Sequence, residues 1–474
     1  MLKKRLLIAV AAAALILPAP TQTATEPLAH GAWQPICELG AQLNKPIERA
    51  LSILATLATA AEKASTAALK LQIFAEKNTD EENTIAVQAL QLDTVRQAIS
   101  ARKELQEQTT TLTTAVAVVG QLSGHIAQTF AILKTTGHTD NSMYCVASST
   151  PGTGGHAFIA QQRCDKPVTQ FAPAMDKLTP AVVENGGFKK IVSHGNAFSR
   201  EGGDGTKYKL FDVGSTGGTS NFYTGGTTLA AGIISVTGTT TGTAKSYSSA
   251  SKLDNRPTDD LVKAAAYDIQ QIEDYDASAF KTAELEIIKQ SATADRVRPI
   301  LIKLLTQPTG EVDKDAAEKK ADEIINTKYG KDTTKAASLW LDIEKTMVAT
   351  PKGDGTTEVE LKTITDANQL SEVLAYYSRL NNVKIRNQEK ELQEAKNKVK
   401  IVTKTTEQIC KEINDAKTCN ADKNCRYNET KKEEPKCVLS EDGKKQVEKE
   451  AEKQQGTDGK NKEKCAKHGT KKQA

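Results

Sequence analysis

Apolar residues recur from Ile36 to Ala75 in steps of four and three: Ile36, Gly40, Leu43, Ile47, Ala50, Leu54, Leu57, Ala61, Ala64, Ala68, Leu71 and Ala75. That is the heptad spacing of a long supercoiled helix, roughly 60 Å long at about 1.5 Å per residue. The stretch from Ile85 to Leu133 is long enough to run back beside it. Its final part repeats the step through Leu112, Val116, Val119, Ser123, Ile126, Phe130 and Leu133, whereas Arg96 and Lys103 interrupt its first half. The pattern predicts a long antiparallel coiled-coil helical hairpin over 36–134. Asn78 to Glu82 marks the turn, and Thr79 followed three residues later by Glu82 has the form of a capping box. Seams containing Gly, Ser and many Ala make poor isolated coils, so a partner is expected: later helices of the chain or a second copy.

Beyond the hairpin the texture changes. Residues 135–257 are rich in Gly, Thr and Ser, with runs such as Pro151–Gly155, Gly202–Gly205 and Gly214–Gly218. These read as surface loops with minor β structure, the patch Leu229 to Val236 being the best strand candidate. None of the glycine runs ends in the Gly-Lys-Ser/Thr of a phosphate-binding loop. Helical spacing returns from Thr258, through Leu261, Ala265, Ile269 and Ile272, and later through Leu370, Val373, Leu374, Tyr377 and Leu380. Trp340 and the Tyr376-Tyr377 pair read as packing residues. Residues 383–407 form a charged, helix-prone linker out of a large N-terminal domain, 25–382.

Composition sharpens this picture in three ways. Across 474 residues, 38% hydrophobic but only 4% aromatic content implies thin cores of small side chains in more than one domain. The net charge of +4 is uneven, because Asn381 to Ala474 carries 24 Lys/Arg against 17 Asp/Glu. The two signs alternate closely there with few aromatics, which describes a solvated face and argues against nucleic acid as a partner. Finally, Lys3, Lys4 and Arg5 precede an apolar run from Leu6 to Leu17, the form of a secretory signal peptide over 1–24. No other run reads as long and apolar enough for a transmembrane helix.

Export changes the reading of the eight cysteines, since an oxidising compartment favours disulfides. Helix one starts at Cys37 and helix two returns to the same end, so either Cys145 or Cys164 can reach Cys37. Cys410, Cys419, Cys425 and Cys437 crowd a segment with little apolar material, which describes a small disulfide-rich C-terminal domain, 408–474. No Cys-x-x-Cys pair supports zinc there, and His156 and His194 near Cys164 lack paired metal-ligand spacing. Asn428-Glu429-Thr430 is the sole Asn-x-Ser/Thr acceptor and a candidate glycan site. No catalytic, cofactor-binding or metal-ligating constellation stands out, so an enzyme is not expected.

Taken together, the signal peptide, the opening Ala32-Trp33-Gln34-Pro35-Ile36-Cys37, the Ala-rich hairpin, Tyr144-Cys145 and the Cys-rich tail resemble the variant surface glycoproteins of African trypanosomes. The N-terminal domain resembles the class usually called A. The resemblance implies a homodimer through the helical hairpins and loops that face host antibodies. It also implies attachment to the outer leaflet of the plasma membrane by a glycosylphosphatidylinositol (GPI) lipid. The implied function is a coat that shields the parasite membrane and evades antibodies by antigenic variation. The alternative is a host-protein receptor on the same scaffold, similar to the trypanosome transferrin receptor. Members of this class often carry four N-terminal cysteines in two bridges, whereas this chain offers three. Cys37 is expected to pair with Cys164, leaving the role of Cys145 open. In the tail, Cys410 with Cys425 and Cys419 with Cys437 is the expected connectivity among three. The chain ends at Lys471-Lys472-Gln473-Ala474 without an apolar anchor signal, so either the sequence is incomplete or this copy is not anchored; Cys465, without an assigned partner, favours a Cys-rich domain cut short.

Overall fold

The computed structural model describes residues 27–78, 80–136, 144–178, 182–195, 197, 227–236, 242–249, 251–306, 313–353, 355–402 and 406–445. The signal segment, Thr79, the glycine runs at 202–205 and 214–218, and Cys465 lie outside them. The fold is mainly α, and the chain divides into two compact units, Met1–Leu374 and Ala375–Ala474.

Pro46 determines where the long seam breaks. A helix running through it would lack the N–H that bonds Gln42 and would press the ring against that carbonyl. The heptad alone predicts one helix, but the structure has α1 (His30–Gly40) and α2 (Asn44–Lys77), separated by the turn Ala41–Leu43. Most seam residues are nonetheless buried, including Ile36, Leu43, Ile47, Ala50, Leu57, Ala61, Ala64, Ala68 and Leu71. Gly40 is required: a Cβ there would stand 2.5 Å from Ile126 Cγ2.

The returning helix, α3 (Glu81–Thr135), is 55 residues long, about 80 Å. Its N-cap is Asp80, whose carboxylate accepts from the Asn83 N–H at 2.7 Å. Asp caps at least as well as Thr and also complements the helix dipole, which accounts for the cap falling one residue later than Thr79. By length and composition α3 could cross a membrane. Here it is the second arm of the hairpin, packed along α2.

The short helix α4 (His156–Gln162) packs against α1 and α3. Two small antiparallel sheets follow: β1 (Val183–Glu184) with β2 (Gly187–Phe188), and β3 (Thr227–Leu229), β4 (Ile234–Val236) and β5 (Gly242–Ala244) in that order. Then α5 (Leu261–Asp274), α6 (Glu284–Ser291) and α7 (Ala294–Thr306) lie against α3. They cover the part of its seam that turns polar. Thr94 Oγ1 is 3.0 Å from Ser291 Oγ, Gln97 donates to Ser291 Oγ at 2.6 Å, and Arg296 Nε donates to Asp93 Oδ2 at 2.9 Å. The weak half of the hairpin thus finds partners in later helices of its own chain. Next come α8 (Lys314–Ile324), a π-helical turn at Ile325–Tyr329, α9 (Thr334–Glu344) and an antiparallel ribbon, β6 (Met347–Lys352) with β7 (Gly355–Glu360). The unit boundary falls within α10 (Ala367–Val402).

In the second unit, α10 is exposed almost throughout 382–396. Helices α11 (Thr406–Glu412) and α12 (Ala416–Ala421) pack on a ribbon of β8 (Cys425–Tyr427) and β9 (Cys437–Leu439).

Candidate functional site: the clamped head of the hairpin and the cystine-built unit

The open end of the hairpin is assembled around Trp33. Its Nε1 donates to the Ala147 carbonyl at 2.9 Å, and Phe130 of α3 and Phe158 of α4 lie 5.9 and 5.7 Å from its ring. Gly155, which precedes α4, passes so close that a Cβ would sit 2.3 Å from Trp33 Cζ2. Leu28 pairs with Val146 as a β-bridge, which brings the segment before α1 against the chain leaving α3. The structure joins Cys37 to Cys164, with Cα atoms 5.2 Å apart across 127 residues of sequence. Cys145 is fully buried beside them in the same core, its sulfur 3.1 Å from Thr136 Oγ1.

Charge is buried at the clamp as well. Lys134, at the end of α3, pairs with Asp165 at 2.6 Å, tying the helix to the residue after Cys164. His156 Nε2 is buried with no hydrogen-bond partner, as is Asp165 Oδ1. Burial, and secondarily the Lys134 charge, hold the His156 pKa below its usual value. His194 pairs its backbone with Ala244, and its ring lies beside Gly31 of α1. Among the described residues no group of three or more potential ligands gathers for a metal.

Two buried cations fasten the rest of the hairpin to the later helices. Arg49 donates to the carbonyls of Ile272, Met175 and Tyr275 at 3.1, 3.0 and 3.3 Å, satisfying its fork with the C-terminal end of α5 and the loop that carries Met175. Lys70 pairs with Glu284 at 2.8 Å and Glu344 at 3.6 Å, and lies 5.7 Å from the Trp340 ring centroid. At the turn end, Glu82 receives Lys320 and Lys328, and the hydrogen bond from Lys320 above all holds its carboxyl below the usual range. Neither Arg49 nor Lys70 was singled out by the apolar pattern. The available signal was a charged residue set in an otherwise Ala-rich helical stretch.

Among its described residues, the second unit has almost no core beyond its cystines. Cys410 is joined to Cys425 and Cys419 to Cys437, with only Ile413, Tyr427 and Leu439 packed around them. Asp415 caps α12 through the Thr418 N–H, and Gly443 is pressed against Asn424, whose carbonyl oxygen a Cβ would meet at 2.2 Å. Asn428 follows β8 in a turn. Its Oδ1 accepts from the Thr430 N–H at 3.1 Å and from the Thr430 hydroxyl at 2.6 Å.

A long helical hairpin with a bridged head, joined in sequence to a separate cystine-held unit, defines a structural scaffold in which the helices carry the length. The chain belongs to the trypanosome variant surface glycoproteins: the A-type family matches residues 8–378, and the variant surface glycoprotein C-terminal domain matches 410–474. It is a member of a family of surface coat glycoproteins. It is 24% identical over 430 residues to variant surface glycoprotein ILTAT 1.24 of Trypanosoma brucei brucei, covering 86% of this chain and 80% of that protein. With variant surface glycoprotein MITAT 1.6 of the same organism it shares 23% over 417 residues, covering 83% and 77%. The solved structure of MITat 1.1 has the same fold, with a TM-score of 0.55 at 17% identity over 77% of this chain and 99% of that one.

Proposed function

We propose that this chain is a GPI-anchored coat glycoprotein that shields the parasite plasma membrane and changes between expressed copies to evade host antibodies. Its work is steric, and nothing catalytic is required. The observation that carries the reading is an about 80 Å helical arm whose free face is built for close packing. From Thr109 to Leu133, α3 contains no Asp, Glu, Lys or Arg. Thr110, Thr113, Ala117, Gln121 and Gly124 lie exposed along it in steps of three and four. Among the described residues, a Cβ at Gly120 or Gly124 would meet nothing within 4 Å. Glycine inside a helix costs about 1 kcal/mol relative to alanine, so the fold of one copy gives no reason for these two. Close approach of a second copy does, which supports a homodimer through the hairpins.

Asn428 is the glycan position in this reading, and the cystine unit lies on the membrane side, where the lipid is attached. Three disulfide bridges suit a protein exported to an oxidising compartment. Antibodies raised against the loops between Pro151 and Gly242 test the reading on intact, unfixed cells. Labelling across the whole surface is expected. Labelling confined to one patch, or specific capture of one serum protein by the purified ectodomain, would favour the receptor alternative instead.

A further inference from the structure

Past Gly124, at the C-terminal end of α3, a half-open pocket of about 280 Å³ lies between that helix and the β3–β4 turn. Its chemistry is specific in what it omits, since none of its described lining residues is Asp, Glu, Lys or Arg. It therefore offers no carboxylate, ammonium or guanidinium among them to pair with an ion. Three polar side chains, His125, Gln128 and Thr228, edge it, and among the described contacts none is engaged in a side-chain hydrogen bond. Ile132, Leu133 and Leu229 supply an aliphatic wall.

The opposite wall is fixed at a cost. Ala230 and Ala231 both adopt positive φ, 48° and 58°, where a residue with a Cβ is strained by about 1 kcal/mol or more. Thr129 Oγ1 holds that turn by accepting the Ala230 N–H at 2.9 Å while donating to the His125 carbonyl at 2.8 Å. The wall is thus tied to the helix that carries His125 and Gln128, so the pocket is formed before anything enters it.

We infer that this pocket binds a neutral sugar ring. A cavity of about 150 Å³ admits benzene, so this one admits a six-membered ring with several substituents. A hexopyranose has hydroxyls to donate to and accept from an imidazole, an amide and a hydroxyl. It also has a C–H face to lie on Ile132 and Leu133. An anion of the same size finds no Lys or Arg among the described lining, and a purely apolar ring leaves the three polar groups unused.

The test uses the full chain with methyl α-glucopyranoside and methyl α-mannopyranoside as probes, and lactate as an anionic control. Binding is followed by saturation-transfer NMR and the assembly state by size-exclusion chromatography. At least one glycoside is expected to receive saturation, with little change on adding salt because no charge pairs are made. His125→Ala with Gln128→Ala is expected to weaken that binding about tenfold or more while leaving the assembly state unchanged. If that double variant fails to fold, Thr228→Val replaces it with the same expectation. Absence of transfer to both glycosides, a salt-sensitive preference for lactate, or equal binding by the variant would overturn the inference. A variant that changes assembly state while wild type ignores both glycosides would do so too, and would assign the pocket to the contact between copies.

Discussion

Replacing Cys37 and Cys164 together by Ser measures how much the clamp contributes to the N-terminal unit. The bridge closes a loop of 127 residues. With the loop-entropy relation, closing a loop of that length removes about 16 to 17 cal/mol/K from the unfolded chain, or about 5 kcal/mol at 25 °C. The N-terminal unit, of roughly 350 residues, has an unfolding entropy of about 0.7 kcal/mol/K at about 2.1 cal/mol/K per residue. The expected fall in Tm is therefore about 7 °C, with the unit still folded because Trp33, Phe130, Ile126 and their neighbours remain buried. Differential scanning calorimetry of the double Ser variant beside wild type reads this directly, and circular dichroism at 25 °C checks that the helices persist. A fall of less than about 2 °C would refute the reasoning, because the loop would then be constrained by something other than the bridge. Loss of the folded state at 25 °C would refute it in the other direction, by showing that the head core cannot stand without the cystine. The C-terminal unit should behave differently. Its loops span only 15 and 18 residues, worth about 3 kcal/mol each, but so little else is buried there that removing either bridge is expected to unfold it.

Four further outcomes are expected. Gly155→Ala places a methyl group 2.3 Å from Trp33 Cζ2 and should cost about 2 to 3 kcal/mol in urea unfolding, with a larger loss for Gly155→Val. Lys70→Ala leaves Glu284 and Glu344 facing each other without their cation and should cost about 2 to 3 kcal/mol, since both carboxylates keep some solvent; Lys70→Met should recover part of that through packing on Trp340. His156 is held below its ordinary pKa of 6.5 in the folded state, so neutral His156 favours folding above that pH, and the contribution is lost as pH falls through the lowered value. Wild type should therefore lose Tm more steeply on acidification below about 6.5 than His156→Gln, and parallel curves would contradict the burial argument. Gly124→Trp should disperse the proposed dimer to monomers in analytical ultracentrifugation without lowering helicity, because no described residue of the same copy stands in the way of the added side chain.

The hairpin was legible because a heptad repeat is a local signal that survives over many residues, and it fixed both arms and the mainly α class. What the repeat could not show was the interruption after Gly40. Periodicity records which side of a helix is apolar, whereas the ring of Pro46 acts on the backbone. Cap position was likewise off by one residue, because Thr79 and Asp80 are both good N-caps and the choice depends on where the turn closes. The head was only partly legible. Trp33 stands in a short motif, but its dependence on Gly155 and the Ala147 carbonyl joins residues more than a hundred positions apart. Arg49 and Lys70 were hidden for the same reason, since a buried cation declares itself only when its carbonyl or carboxylate partners arrive from distant helices. Gly120 and Gly124 could have been read as small-residue positions, but their meaning depends on knowing that no described residue of their own copy approaches them.

The account holds that the chain forms a dense coat held to the outer leaflet by a lipid. Treating intact, unfixed trypanosomes that express it with phosphatidylinositol-specific phospholipase C tests this most directly, with the loop antibody counting surface and supernatant protein. The account predicts uniform surface labelling that moves into the supernatant as full-length protein after the lipase. Labelling that stays on the cells, or protein found inside them at the outset, would contradict it.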